Sequence, residues 1–350
     1  MNALSILSHY QTLVRPKIEK YLINPEYPTQ FVIPDKYQPE ADFHWKLVRD
    51  YPLRKSKYLR PSLVMLISEA MGIPNAKALP TAAAMQMSEE WILIHDDWED
   101  DSTLRRGEPC LHKKYSPELA VNAGDALHAL MWSILTENFS VLGQDQALKI
   151  LHEFRVMLTR TVLGQTVEIK WMQANKTDLV DDDWFFVANS KTSYYSIAGP
   201  IRLGGLVAGA TSSQLESLSE LGNPLGYCFQ LVDDLLDLTS TFDGRKEQSG
   251  DIYEGKRTLM LGHLLRQANP SDKRQVIDIL KKSRAQKTAQ EVEWIINRMN
   301  YYGSIEYGRN IASKLRNQAM DVINQLDFLN RQPARQNLEV LANFVLTRTH

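Results

Sequence analysis

Two stretches decide how this chain reads: Trp91-Ile92-Leu93-Ile94-His95-Asp96-Asp97-Trp98-Glu99-Asp100 and Phe229-Gln230-Leu231-Val232-Asp233-Asp234-Leu235-Leu236-Asp237. Each runs from an apolar, helix-patterned segment into an aspartate pentad of the form D-D-x-x-D. On a helix, positions three and four apart share a face, so Asp96 stacks with Asp100 and Asp233 with Asp237. Like charges on one face destabilise a helix, and negative charge near its C-terminal end also opposes the macrodipole. Folding gains nothing from this arrangement. Divalent cations would reverse the cost, because carboxylate oxygens are the ligands Mg²⁺ takes when it also bridges phosphates. Either pentad by itself reads as an acidic, solvated helix end; the same pattern on two apolar helices favours a metal site. Removing one aspartate, as in Asp97→Ala or Asp233→Ala, would then relieve repulsion and leave the helices intact.

The rest of the chain is patterned for helices as well. Residues 1–21 read as an amphipathic helix, and 24–39 carries Pro25, Pro28, Pro34 and Pro39, which suggests an extended arm. From Pro61 onward, apolar periodicity predicts helices over 62–71, 79–95, 117–142, 146–171, 182–206, 212–238, 259–266, 272–284, 289–299, 305–326 and 334–347. Alternating strand patterns are nearly absent, and no repeat or low-complexity linker divides the chain. The expectation is one all-α domain over residues 1–350 with ten or more helices, the first 50 residues forming a helix and a proline-rich arm.

Composition bounds the function. The 350 residues are 43% hydrophobic, enough for a large core, and the net charge of −2 supplies no basic field for nucleic acid or an anionic membrane. The two cysteines, Cys110 and Cys228, lack metal-ligand spacing and fit a reducing compartment. No basic leader precedes the first apolar run, and the stretch 196–211 is broken by Pro200, Arg202 and glycines. These features point to a soluble cytoplasmic protein without a membrane span. Asp181-Asp182-Asp183 precedes Trp184-Phe185-Phe186 and suits a helix N-terminus, where negative charge is stabilising. His95 and His112 read as structural.

Metal-bridged phosphates also need cationic donors, and three clusters supply them. They are Lys57-Tyr58-Leu59-Arg60-Pro61, Leu104-Arg105-Arg106-Gly107 just after the first pentad, and Gly244-Arg245-Lys246 with Gly255-Lys256-Arg257 behind the second. Arginine's planar fork suits bidentate phosphate contact, and lysine acts as a point charge.

With these residues in hand, the chain resembles the trans-isoprenyl diphosphate synthases. His95 to Ser102 with Leu104 to Pro109, Asn122-Ala123-Gly124-Asp125, Phe229 to Asp237 and Gly250 to Leu259 carry the resemblance in family order. It implies an isoprenoid synthase-like helical fold around a central tunnel, a homodimer, and about three Mg²⁺ per site for diphosphate chemistry. It implies that Asp96, Asp97 and Asp100 hold two of the ions, and Asp233, with Asp234 and Asp237 beside it, the third. Arg105, Lys191, Lys246 and Lys256 would contact an allylic diphosphate, and Lys57, Arg60 and Arg106 would bind isopentenyl diphosphate. Gln230 and Thr192 would lie beside the developing cation. The resemblance also implies that chain length is set at Ser88, Trp91 and Ile92, before the first pentad. A Trp91 plug points to geranylgeranyl (C20) over farnesyl (C15) diphosphate.

Two positions depart from the family pattern. The usual glycine before the first lysine is Ser56, and Glu89 stands where a His or Gln is common. A carboxylate there repels a diphosphate unless it is paired with Lys57, Arg60 or Arg106. Two other readings remain beside the synthase. A class I terpene cyclase normally carries one such pentad, and a non-catalytic subunit of a heteromeric synthase tends to lose pentad aspartates.

Overall fold

The computed structural model describes residues 1–23, 30–239 and 249–347, and the architecture is helical throughout. In chain order the helices are α1 Ala3–Ile23, α2 Gln38–Leu53, α3 Leu59–Ala70, α4 Asn75–Glu99, α5 Leu111–Lys114, α6 Pro117–Thr136, α7 Asn138–Leu142 and α8 Gln144–Gln173. After α8 come α9 Asp181–Val187, a π-helix over Ala188–Ala198, α10 Gly199–Val207, α11 Ser212–Thr239, α12 Gly250–Glu254 and α13 Leu259–Gln267. The chain closes with α14 Pro270–Leu280, α15 Ala289–Tyr301, α16 Ser304–Gln325 and α17 Ala334–Thr347. Among the described residues, no helix is long and apolar enough to cross a membrane.

Local chemistry sets several of these boundaries. Ser116 caps α6 by accepting the Leu119 N–H at 3.3 Å, and Pro117 follows in the first turn, where its missing N–H costs nothing. Thr288 and Glu291 form a reciprocal capping box at the start of α15. Asp183 accepts the Val180 N–H at 2.9 Å, so the triple aspartate does open a helix. The helix expected over 117–142 breaks at Glu137. There the Asn138 amide donates to the Leu135 carbonyl at 3.1 Å and its oxygen accepts from Thr81, a competition with the backbone ladder.

Three features depart from the sequence pattern. Helix α2 lies where no helix was expected; its two prolines mask it, yet Pro39 sits in the first turn and Pro52 near the end. The second is a two-stranded hairpin, β1 Leu104–Arg105 with β2 Glu108–Pro109. The third is the π-helix, which interrupts what reads as one helix over 182–206 and carries Lys191 and Thr192. Such wide turns occur mostly at functional sites.

Helices α4 and α11, which carry the pentads, do not lie against each other. The first packs on α3 and α6, the second on the π-helix and α16. Long side chains reach from the π-helix to α4: Lys191 to Asp96, and the Tyr195 hydroxyl to Ser88 at 2.9 Å. The π-helix is gripped from two sides at glycines. A Cβ on Gly164 of α8 would stand 2.5 Å from the Lys191 nitrogen, and one on Gly226 of α11 would stand 2.7 Å from the Ser193 oxygen. Neither backbone can retreat within a close-packed core. Gly164→Ala is therefore expected to destabilise the protein by about 1–3 kcal/mol through overpacking. The change is read as a lowered midpoint in thermal or denaturant unfolding.

Candidate active site

The first pentad lies inside the last turn of α4, with Asp100 as the closing residue. Asp96 and Asp100 share a face, as their spacing requires, and each meets a lysine. The Lys191 ammonium is 3.3 Å from Asp96 and 2.6 Å from Glu168 of α8. The Lys256 ammonium is 3.1 Å from Asp100, 2.7 Å from Glu254 and 3.6 Å from Asp251. Burial pushes the Asp96 carboxyl up, but Lys191, Lys256 and Arg105 outweigh it and pull the group down to about 2. Burial also pushes Asp100 up, and there the charges of Asp96 and Glu254 add to it; despite Lys256 it reaches about 7.

Asp97 faces elsewhere. One residue on from Asp96, it is turned by about 100° and is fully buried. The Tyr51 hydroxyl of α2 donates to its Oδ2 at 2.6 Å, and the Arg105 Nε–H lies 3.0 Å from both oxygens. Removing it leaves the half-buried Arg105 guanidinium and the buried Tyr51 phenol without this acceptor. The expectation that Asp97→Ala would leave the fold unstrained is thereby corrected. Both of its oxygens thus meet protein donors from α2 and the hairpin.

In the second pentad, Asp233 is the half-buried member. Asp234 is buried, accepting from the Gln230 amide at 2.6 Å and the Trp184 indole N–H at 3.2 Å. Burial and the Asp251 charge hold its carboxyl well above the usual range. Gln230, expected beside the reacting carbon, is thus committed to Asp234. Asp237 accepts the N–H groups of Gly250 and Asp251, both at 3.1 Å, and so caps α12. Asp96 and Asp100, at the end of α4, meet ammonium groups rather than backbone or phenol donors. Lys246 lies outside the described residues.

The hairpin after the pentad turns on Arg106 and Gly107, at φ of +56° and +84°. Both values are left-handed, as a two-residue hairpin turn of the primed type demands. Buried Arg54 holds the hairpin by donating to the carbonyls of Arg105 at 2.9 Å and Pro109 at 2.8 Å. Arg105 then points to Asp97, while Arg106 reaches two consecutive glutamates of α4. It lies 2.8 Å from Glu90 and 3.6 Å from Glu89. Arg60 of α3 stands 3.1 Å from Glu89, donates to Ser196 at 2.7 Å and lies over the Tyr195 ring. Glu89 is therefore paired, with Arg60 and Arg106. Lys57 is exposed nearby in sequence, and Tyr58 enters α3 at φ +54°, a strained value for a tyrosine.

Of the residues expected to set chain length, Ser88 and Ile92 share the Asp96 face, and Ser88 bonds Tyr195 of the π-helix. Trp91 is rotated toward α6. It is buried, its ring 4.7 Å from the His128 ring, whose Nε2 accepts from Trp132 at 2.9 Å. His95 reaches the Val121 carbonyl at 3.2 Å, in keeping with a structural role.

Several site residues escaped the sequence reading. Glu168 holds Lys191, Glu254 holds Lys256, Arg284 holds Glu254 at 2.9 Å, and Tyr51 holds Asp97. The Glu168 signal was present in Gly164-Gln165-Thr166-Val167-Glu168, where the glycine marks a close approach to the π-helix four residues earlier.

A family model described as polyprenyl synthetase matches residues 45–299. The chain belongs to that family. It is a prenyltransferase. A short chain isoprenyl diphosphate synthase from Methanothermobacter thermautotrophicus is 31% identical over 295 residues, covering 84% of this chain and 87% of the relative. The crystal structure of a geranylgeranyl pyrophosphate synthetase from Pyrococcus horikoshii superposes with a TM-score of 0.83 at 25% identity, covering 98% of both chains. A geranylgeranyl pyrophosphate synthase from Corynebacterium glutamicum, complexed with isoprenyl diphosphate and magnesium, shares the fold with a TM-score of 0.82 at 22% identity. It covers 98% of this chain and 99% of its own.

For this polyprenyl synthetase family member, Asp97→Ala is expected to cost about 1–3 kcal/mol of stability, since it takes a buried acceptor from the Tyr51 hydroxyl and from Arg105. Denaturant unfolding of Asp97→Ala against wild type measures this, and Asp97→Asn should recover part of it.

Proposed function

We propose that this chain elongates allylic diphosphates (dimethylallyl, geranyl, farnesyl) with isopentenyl diphosphate, dependent on Mg²⁺, giving chiefly geranylgeranyl diphosphate. One observation carries the reading: the carboxylates and ammoniums at the end of α4 pair one to one, Asp96 with Lys191 and Asp100 with Lys256. These charges serve each other only until a polyanion arrives with its cations. Each lysine can then turn to a phosphate oxygen and each aspartate to a metal.

The donor set fits Mg²⁺. It consists of hard carboxylate oxygens, and the buried Oδ1 of Asp100 makes no hydrogen bond. Among the described residues no three acidic, imidazole or thiol groups already converge on one point, in keeping with lysines standing between them. Asp96, Asp100 and Asp233 would hold the ions. When bound, Mg²⁺ neutralises charge on the leaving diphosphate.

The chain's own residues supply the rest. Lys191 and Lys256 bind the allylic diphosphate and stabilise the charge it gains as its C–O bond breaks. Thr192 sits beside Lys191 on the same π-turn. Lys57, Arg60 and Arg106 hold isopentenyl diphosphate, so that its alkene meets the allylic cation without a bimolecular encounter. Apolar side chains of α4, α6 and the π-helix keep water from the cation. The same reading has the protein acting as a single domain and a homodimer in the cytoplasm. Two intact pentads weigh against a terpene cyclase and against a non-catalytic subunit.

Purified protein is assayed with labelled isopentenyl diphosphate and each allylic primer. Elongation should stop in EDTA, and Asp96→Ala and Asp233→Ala should lower turnover by orders of magnitude; full activity in EDTA would sink the proposal. Chain length follows from Trp91, the largest plug an α4 side chain can offer. Trp91→Ala opens the space against His128, and its products should lengthen to C25 or beyond. Wild-type chain length from that variant would mean the floor lies elsewhere.

A further inference from the structure

Glu90 has no part in the chemistry above, yet it is among the most deeply buried charged groups in the site. Its Oε2 lies 2.8 Å from Arg106, and its Oε1 accepts from the Gln86 amide at 2.6 Å. With Glu89, Arg60 and Arg106 it forms a quartet of formal charge zero: two arginines against two glutamates. Around the quartet, four buried polar atoms make no hydrogen bond: Tyr58 Oη, Arg60 Nε, Glu89 Oε2 and Gln86 Oε1. Unmet groups of this kind are rare in a folded interior, and here they gather in one place. A neutral quartet offers little to a multiply charged diphosphate, because each guanidinium is already engaged by a carboxylate.

We propose that Glu90 is a positioning residue for the acceptor: isopentenyl diphosphate enters this pocket together with one proton, which Glu90 takes up as it releases Arg106 to the diphosphate. The proposal rests on the reading of this pocket as the isopentenyl diphosphate subsite. The proton comes from solvent and converts the Glu90 carboxylate into a carboxylic acid; no other bond changes. The quartet then carries a net charge of one plus, and the Arg106 fork is free for bidentate contact. The new O–H finds its acceptor in place, since Gln86 Oε1 has no donor and a turn of the amide presents it to Glu90. Glu89 is the less suited partner. Its side chain is 12% exposed against 1% for Glu90, and it divides between two arginines.

The groups facing Glu90 are Arg106 from the hairpin and Glu89 and Gln86 from α4. Beyond them lie Tyr58 and Arg60 from α3, Arg15 from α1 through Tyr58, and Tyr195 from the π-helix. Burial pushes the Glu90 carboxyl up, Arg106 opposes and Glu89 adds, leaving it at about 7, so the exchange falls near neutral pH. Above that pH the free protein holds Glu90 ionised and binding must draw a proton, so the KM for isopentenyl diphosphate rises with pH. Below it Glu90 is already neutral and no uptake is needed.

The test compares the KM for isopentenyl diphosphate of wild type and Glu90→Gln between pH 6 and 9. Ionisation of the substrate affects both proteins alike, so the wild-type to variant ratio isolates Glu90. One-proton linkage expects that ratio near one at pH 6 and about tenfold at pH 8. Should Glu90→Gln fail to fold, calorimetry of isopentenyl diphosphate binding to wild type at pH 8, in buffers of different ionisation enthalpy, gives a second measure. At that pH the substrate has lost its last proton, whose pKa is about 6, so uptake of nearly one proton belongs to the protein. A flat ratio, or binding without proton uptake, overturns the proposal while leaving the synthase reading in place. Absence of elongation in both proteins at every pH removes the acceptor reading, and this proposal with it.

Discussion

The structure depends on charge compensation at the end of one helix. Asp96 and Asp100 would repel each other on the C-terminal turn of α4, where the macrodipole also disfavours them. Lys191 and Lys256 make the turn tenable, each itself flanked by a second acid, Glu168 and Glu254. Each lysine is therefore held by its pentad aspartate and by at least one further acid. That arrangement keeps buried charge affordable in the resting protein and leaves it exchangeable. The split between Asp96 and Asp100, one carboxyl driven down and the other up, has the same origin: two like groups under shared cations cannot both lose a proton freely.

The π-helix delivers one of those lysines. An ordinary α-helical run from Asp181 to Val207 would rotate Lys191 relative to Tyr195 and Ser196, which meet Ser88 and Arg60. The wide turns let one short segment present Lys191 to α4's aspartates and Ser196 to Arg60. Such turns hold only where neighbours fix them. Gly164 and Gly226 provide that by bringing two helix backbones against the segment.

The sequence made the helices legible because the apolar period is strong in α4, α8, α11 and α15 to α17. It failed where a local rule was ambiguous. Prolines hid α2 although both stand at tolerated places, and no propensity distinguishes a π-turn from an α-turn. The pentads were legible as acidic faces, and the placement of Asp96 and Asp100 followed from spacing. Spacing could not say that Asp97 turns to Tyr51, or that Asp237 caps α12, since those partners come from distant or later segments. Glu90 and Gln86 escaped for a related reason: a buried glutamate in an apolar run gives no local hint of the arginine that meets it from sixteen residues onward.

That arginine explains why both halves of the site depend on a six-residue hairpin. Arg105 ends the first strand and Arg106 opens the turn, where its left-handed backbone sends the two side chains apart. Arg105 closes over Asp97, at the root of the first pentad, while Arg106 enters the acidic pair of the acceptor side. Arg54, buried behind them, fixes the carbonyls of both strands. A shift of this hairpin would move the two guanidiniums together, so the Asp97 contact and the Glu89–Glu90 contact are registered to each other by one short piece of backbone. Glu89 and Glu90 pair with Arg60 and Arg106 alone, because the helix turn between them and Asp96 separates the acidic pair from the lysines.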